Sequence, residues 1–304
     1  MGRRKYPAFI IGLVVCAVSA RSESWTIATY NVENYVATNR MTDAGYRQEY
    51  PKPEAQKTAL RSVIVALQAD VLVLQEMGGE PYLAELRRDL KRTGLDYRFA
   101  VLLEADDTDR HIALLAKRPI ASITRHTALE FPYFGKQARV KRGLLEARFA
   151  TEAGELVIFG VHLKSRFTDR KDDPESALRR VGEASAIRNA ILQRCPDPAS
   201  TSFVVLGDFN DEKASKPLQR LLHRGKTTVA SLLPAADSRG EAWTHAYAKQ
   251  DSYSRVDHIL ISPALRATGA VTKARIFDGE GVREASDHRP VVITLEFPTK
   301  LRER

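Results

Sequence analysis

Short apolar runs alternate along this chain with stretches whose hydrophobic residues recur every three to four positions. Trp25-Thr26-Ile27-Ala28-Thr29-Tyr30 follows a period of two and predicts a strand. Ala55 to Gln68 sets Ala59, Val63 and Leu67 on one face and predicts a helix. Val71 to Leu74 is wholly apolar, as a strand buried on both faces would be. Pro81 to Lys91 predicts a second helix, and Tyr97 to Leu103, Ile112 to Ala116 and Ile120 to His126 predict strands. Leu144 to Ala150 and Leu156 to His162 read as a hairpin turning at Glu152-Ala153-Gly154-Glu155. A long helix is expected over Glu175 to Gln193. Strands are then expected at Phe203 to Leu206, Val256 to Ser262, Arg275 to Asp278 and Val291 to Phe297. Hairpins mixed with helical crossovers predict an α/β (α+β) protein, with two sheets packed face to face and helices outside. No long Pro/Ser linker, low-complexity stretch or internal repeat interrupts residues 21–304, which predicts a single domain there.

The 304 residues are 43% hydrophobic and 28% charged, which excludes a collagen-like, largely disordered or polytopic membrane chain. Lys plus Arg number 47 against 38 Asp plus Glu, a net charge of +9. A basic excess of this size suits a polyanionic partner such as nucleic acid or phospholipid, and is equally compatible with none. Arg3, Arg4 and Lys5 precede an apolar run from Ala8 to Ala20, and Val18-Ser19-Ala20 places small residues where signal peptidase reads. Residues 1–20 therefore read as a signal peptide, and the protein is expected to be exported to a periplasmic or extracellular compartment with no stable membrane span after cleavage. Cleavage leaves Cys195 as the single cysteine. That excludes an intrachain disulfide and a structural zinc site built on two thiolates, and a buried or helix-end thiol is expected there. A monomer is expected.

Six polar clusters sit directly beside apolar runs. They are Tyr30-Asn31-Val32-Glu33-Asn34, Gln75-Glu76, His162-Leu163-Lys164, Gly207-Asp208-Phe209-Asn210, Arg255-Val256-Asp257-His258 and Ser286-Asp287-His288-Arg289. Strand ends along one rim of a sheet converge on a cleft, where ligands bind. Each cluster alone has a plain structural alternative: an Asx turn at Asp208, a satisfied strand-end imidazole at His162, an Asp257–Arg255 pair. Six together, in oxygen-donor and acid–base residue types with almost no thiols, point to catalysis with a hard divalent ion retaining water.

In this order the clusters resemble those of the endonuclease/exonuclease/phosphatase superfamily, the deoxyribonuclease-I-like proteins, over about Ser24 to Glu296. The resemblance implies a four-layer α/β sandwich of two mixed sheets flanked by helices. It implies divalent-metal-dependent cleavage of phosphate esters in DNA, RNA, phospholipid head groups or inositol phosphates, with Mg²⁺ (or Mn²⁺ or Ca²⁺). Position by position, Glu76 matches the main metal carboxylate and Asn31 its neighbour. Asp208 and Asn210 match the pair that holds the water nucleophile or a second metal and touches phosphate, with Asp287 a further carboxylate on that side. His288 matches the histidine on the scissile phosphate and Asp257 its carboxylate partner. His162 matches the second histidine of the deoxyribonuclease and sphingomyelinase branches, where abasic-site endonucleases carry tyrosine. Arg142 resembles the arginine that binds a phosphate oxygen. Asp109 aligns with an acid that supports the second histidine, and Asp107 stands where some nucleases have a tyrosine.

The implied activity is a secreted phosphodiesterase, in the first place a nuclease on DNA or RNA. The alternatives are a sphingomyelinase-like or other small-molecule phosphodiesterase or phosphatase, and an inactive binding protein on the same scaffold. A binding protein should have lost one of Glu76, Asp208, Asn210, Asp257, Asp287 or His288, and this chain has them all. For the substrate, Lys136, Arg139, Lys141 and Arg142 follow Phe131-Pro132-Tyr133-Phe134, while Lys164, Arg166, Arg170 and Lys171 follow His162. Such a surface suits a nucleic-acid backbone. The aromatic segment suits equally a lipid surface or the edge of the core. Trp243-Thr244-His245 is expected to shape the cleft floor, and His126 and His223 to be structural or on the surface.

Overall fold

The computed structural model describes residues 22–42, 44–168 and 170–298; the expected signal peptide lies outside them. Twelve strands form two six-stranded sheets. In chain order these are β1 (Ser22–Tyr35), β2 (Val71–Met77), β3 (Phe99–Leu103), β4 (His111–Ala116), β5 (Ser122–His126) and β6 (Leu144–Thr151). They continue with β7 (Gly154–His162), β8 (Phe203–Asp208), β9 (Ser231–Leu232), β10 (Asp257–Ile261), β11 (Val271–Ile276) and β12 (Val291–Pro298). The first sheet runs β11-β12-β1-β2-β4-β3 and the second β9-β10-β8-β7-β6-β5. Each has one parallel pair, β1–β2 and β7–β8, among antiparallel ones, so both are mixed.

Alternation along β1 sends its side chains to two different cores. Trp25 and Ile27 face the other sheet, where they join Val73, Ile112, Leu145, Phe149, Ile158, Leu206 and Ile259 in the central cluster. Ala28 and Tyr30 face outward, onto Leu60, Val63, Ile64, Leu83 and Leu86 of helices α1 (Glu54–Leu67) and α2 (Glu80–Arg92). The outer face of the second sheet packs Phe159, Phe203 and Val205 against Ile187, Ile191, Leu218 and Leu221 of α3 (Ala177–Arg194) and α4 (Lys216–Leu222). The result is helix, sheet, sheet, helix: the expected four-layer sandwich. Cys195 is buried at the C-terminal cap of α3, where burial pushes its thiol up to about 11, as expected for an inert cysteine.

Departures from the periodicity have local causes. The penultimate strand spans Val271–Ile276, earlier than Arg275 to Asp278. It is an edge strand whose Thr272 and Lys273 are exposed, so little apolar pattern marks its start. The hairpin turn is tighter than four residues, because Thr151 pairs with Gly154 and leaves Glu152 and Ala153 as the loop. The polar hairpin Thr38–Thr42 with Gly45–Tyr50 was not expected, whereas the aromatic segment lies in a second hairpin, Glu130–Tyr133 with Lys136–Arg139. The second settles one open point about the aromatic segment. Phe131 is buried in the cluster under α3, and its ring lies against Gly182, where any β-carbon would come within 2.1 Å of it.

Phe131→Ala should therefore cost stability on the scale of a core truncation, about 3–5 kcal/mol. Urea unfolding checks this. A loss near zero would mean that Phe131 is free for another surface.

Candidate active site

The first sheet brings one half of the site. Asn31 lies where β1 stops pairing regularly with β2, and Glu33, Asn34 and the facing Glu76 all have left-handed backbone, with φ of 48°, 52° and 62°. Each such non-glycine residue costs roughly 1–3 kcal/mol, and strain of this kind collects at functional sites. Here it aims polar groups inward. The Asn34 N–H donates to Glu76 Oε2 at 2.9 Å, and the Glu33 N–H donates to Asn31 Oδ1 at 3.0 Å.

The second sheet brings the other half as a row. His162 ends β7, Asp208 ends β8 and Asp257 opens β10; in register, His162 is paired with Asp208 and Asp208 with Asp257. All three are buried. Gly207, just before Asp208, is forced to be glycine: its φ is 152°, and a β-carbon would stand 1.9 Å from the Val161 carbonyl oxygen. Asn210 turns back in left-handed conformation, and its amide donates to Asp208 Oδ2 at 3.2 Å and to the Leu163 carbonyl at 3.0 Å.

Polar contacts join the halves. Asn31 Nδ2 donates to Asp208 Oδ2 at 3.0 Å, and His162 Nε2 stands 3.6 Å from the same oxygen. Ser286 Oγ donates to the Asn31 carbonyl at 2.8 Å and accepts the His288 N–H at 3.1 Å, which fixes the segment entering β12. His288 Nδ1 then meets Asp257 Oδ2 at 2.8 Å. Thr244, which the sequence did not single out for this role, accepts the N–H groups of both Val256 and Asp257. Arg255 does not pair with Asp257; its guanidinium donates to the Leu233 and Ala235 carbonyls.

Arg142 is buried at the third side. Its Nε donates to Asp107 Oδ2 at 2.8 Å and its Nη1 to the Leu163 carbonyl. The loop carrying Arg142 and the one following His162 are both held by Glu183 of α3, fully buried, which accepts the N–H groups of Lys141 and Lys164. Asp109 does not reach His162: it is exposed, its N–H donates to Asp107, and His162 Nδ1 has no hydrogen-bond partner. Asp107, held inward by the Asp109 and Arg110 N–H groups, occupies the site instead. Asp287 lies at the solvent side, 4.0 Å from His288 Nε2 and 3.7 Å from His245 Nε2. His126 is structural. It bonds Glu146, where burial opposes ionisation but hydrogen bonds from His126, Arg194 and Arg148 outweigh it and hold the carboxyl at about 2. His223 is exposed.

The charges divide the two histidines. Burial, with Arg142 next in weight, holds His162 well below the usual histidine range, so it is neutral. Burial also opposes charge on His288, but Asp257, Asp208 and Asp287 prevail and raise it well above that range. Burial, then Asp257, raises Asp208 to about 7. Among the described residues, Asp208, Asp257 and His288 bring one ligand atom each to within 4.8 Å of the others. Glu76 is not part of that group and stands on the other sheet beside Asn34.

A buried row of acids and imidazoles across the join of two sheets in a four-layer sandwich defines a class, and comparison agrees with it. The Endonuclease/Exonuclease/phosphatase family profile matches residues 28–288. The chain belongs to this family of phosphoester hydrolases. Solved structures share the fold. An endonuclease/exonuclease/phosphatase from Bacteroides vulgatus superposes with a TM-score of 0.62 at 16% identity, covering 90% of this chain and 99% of that one. Sphingomyelinase C from Streptomyces griseocarneus gives 0.58 at 17% identity, covering 90% and 99%. The human Nocturnin catalytic domain with bound sulfate gives 0.59 at 16% identity, covering 90% and 96%. No protein of curated function matches the sequence.

Replacing Asp257 with Asn should lower the His288 pKa by about one to three pH units, the usual effect of losing an adjacent opposite charge. NMR titration of the imidazole reads this; an unchanged value would show that Asp257 does not hold the proton. Because the folded value is raised, the stabilising effect of the charged imidazole is complete below the ordinary histidine pKa and is lost as pH rises through the folded one.

Proposed function

We propose that this protein is an exported, divalent-metal-dependent phosphodiesterase whose substrate is nucleic acid. One observation carries the catalytic part: two buried imidazoles from adjoining sheets meet one buried acidic pair, His162 Nε2 standing 3.6 Å from Asp208 Oδ2 and His288 Nδ1 2.8 Å from Asp257 Oδ2, with ligand atoms of Asp208, Asp257 and His288 within 4.8 Å of one another.

The donor set fits a hard cation. Asn31, Glu76, Asp208, Asn210 and Asp287 offer oxygens at the join, and Asp208 and Asp257 form a buried acidic pair that favours added positive charge. Such an ion supplies Lewis-acid stabilisation of the charge that builds on phosphate oxygens. The chain's own residues do the rest. Asp208 and Asn210 orient the attacking water. His162, neutral, takes its proton. His288, kept protonated by Asp257, gives its Nε2 proton to the leaving oxygen as the P–O bond breaks, and Arg142 neutralises a non-bridging oxygen, held by Asp107 so that little reorganisation is needed.

Nucleic acid is favoured by the surface around this centre. Phe131 is committed to the core, while exposed Lys136, Arg139 and Arg166 lie on the hairpin and on the loop after His162. Arg139 is shared with Glu130 and Asp106, so not every cation is free for phosphate. One feature favours a lipid surface: Phe167 is 83% and Phe134 44% exposed, with cations nearby. Export rests on residues 1–20 alone. Among the described residues no helix is long and apolar enough to cross a membrane.

The test compares plasmid DNA, RNA and sphingomyelin vesicles as substrates of residues 21–304, each with Mg²⁺ and with EDTA. Nucleic acid should be cut only with Mg²⁺, and Glu76→Gln should lose about 10²-fold or more, the scale of a lost electrostatic catalytic contact. Binding of uncleavable DNA should weaken with salt, and Lys136→Ala with Lys141→Ala should reduce the slope of log K against log salt by roughly one to two. Cleavage of sphingomyelin alone, abolished by Phe134→Ala with Phe167→Ala, would replace the nuclease reading by a lipid one.

A further inference from the structure

Two imidazoles and a carboxylate meet at the outer lip of the site, and the hydrolytic scheme has no use for one of them. His245 belongs to the short strand His245–Tyr247 and is bridged to His288. Its ring lies over that of His288, with centroids 4.6 Å apart and planes tilted by 40°. His245 Nε2 is 3.7 Å from Asp287 Oδ2, and His288 Nε2 is 4.0 Å from Asp287 Oδ1. One ligand atom from each of the three lies within 4.8 Å of the other two.

The arrangement has the features of a borderline-soft metal site. His288 Nδ1 is occupied by Asp257, which leaves Nε2 as the outward atom. A carboxylate behind an imidazole is what orients histidine ligands of zinc and raises their basicity. His245 and Asp287 keep 24% and 41% side-chain exposure, so an ion can enter and water can take a further position. Asp287 is shared with the hard-cation donor set, but two nitrogens and one oxygen select ions differently from the oxygens of Asn31, Glu76, Asp208 and Asn210: imidazole suits zinc and its neighbours, whereas Mg²⁺ and Ca²⁺ take oxygen. At zinc–ligand distances near 2.0–2.1 Å a tetrahedral edge is about 3.4 Å, so the ligand atoms must draw together modestly. Asp287, the most exposed of the three side chains, and His245, on a short two-stranded ribbon, are the members placed to do so.

We infer that His245, Asp287 and His288 form a second metal site, for a divalent transition ion of the zinc type, that inhibits the enzyme by capturing the His288 imidazole. The inhibition rests on the proposed hydrolysis, because the captured nitrogen is the one assigned to phosphate. The binding does not rest on it.

Zinc binding is measured first, by calorimetry on residues 21–304 with Mg²⁺ in excess, and with cobalt(II) as a visible-absorption probe of the same site. Zinc should bind despite the Mg²⁺, and His245→Gln and Asp287→Asn should each weaken it by about tenfold or more, as even outer partners of metal ligands contribute that much. No zinc binding by the unmodified protein, or equal affinity in His245→Gln, overturns the site. Equal affinity would place the ion instead on Asp208, Asp257 and His288, a group that lacks His245. The inhibition is read on a chromogenic phosphodiester with Mg²⁺: zinc should suppress turnover, and His245→Gln should raise the zinc concentration required about tenfold. Zinc that binds without suppressing turnover overturns the inhibitory role. A protein that binds zinc through His245 but hydrolyses no phosphodiester retains the site and loses the proposed function.

Discussion

The site depends on a buried contact between sheets: the Asp257 carboxylate held 2.8 Å from the His288 imidazole. Asp257 opens β10 of one sheet, and His288 sits just before β12 of the other. Leaving either charge alone in this setting would be strongly unfavourable, since breaking a buried pair exposes the desolvation cost of the remaining ion. The pair therefore makes the relative placement of the two rims matter. Asn31 bonding Asp208 adds a second tie, between residues 177 positions apart, and Ser286 bonding the Asn31 carbonyl a third. Apolar packing of Trp25, Phe149 and Ile158 brings the sheets together; these polar ties fix their register at one end.

Around that end, local stability is given up for position. Glu33, Asn34, Glu76 and Asn210 all hold left-handed backbone, and His162 Nδ1 and Asp257 Oδ1 are buried without partners. Supporting groups hold this arrangement in place. Glu183 grips both loops that flank Arg142 and His162, Thr244 grips the start of β10, and Asp107 grips Arg142. A centre assembled from rigid strand ends and locked loops can present dipoles and charges already oriented, which is the main way electrostatic catalysis lowers a barrier.

Much of this was legible in the sequence, for definite reasons. The run at Trp25 marks a strand by its alternation, and the wholly apolar run at Val71 marks one because both of its faces are buried. The polar clusters at their ends stand out because they carry Asn, Glu and Gln where the runs themselves carry only apolar residues and threonine. The row His162, Asp208, Asp257 was not legible, because register depends on pairing between distant strands. Asp109 and Asp107 are two residues apart in one loop, and only packing decides which turns inward. His245 was expected at the cleft floor with Trp243 and Thr244, but its approach to Asp287 and His288 appears only in three dimensions. The aromatic segment at Phe131 stood out, but one buried ring in a short polar ribbon leaves no pattern to say which of its rings packs inward.

The most direct test of the claim that Asp257 and His288 act as one unit in hydrolysis is a double-mutant cycle on turnover of a chromogenic phosphodiester with Mg²⁺. Residues that act together are grossly non-additive in such cycles. Asp257→Asn with His288→Gln should be scarcely slower than His288→Gln alone. Losses that multiply in full would contradict the account, because the carboxylate would then contribute to turnover by a route that does not pass through the imidazole.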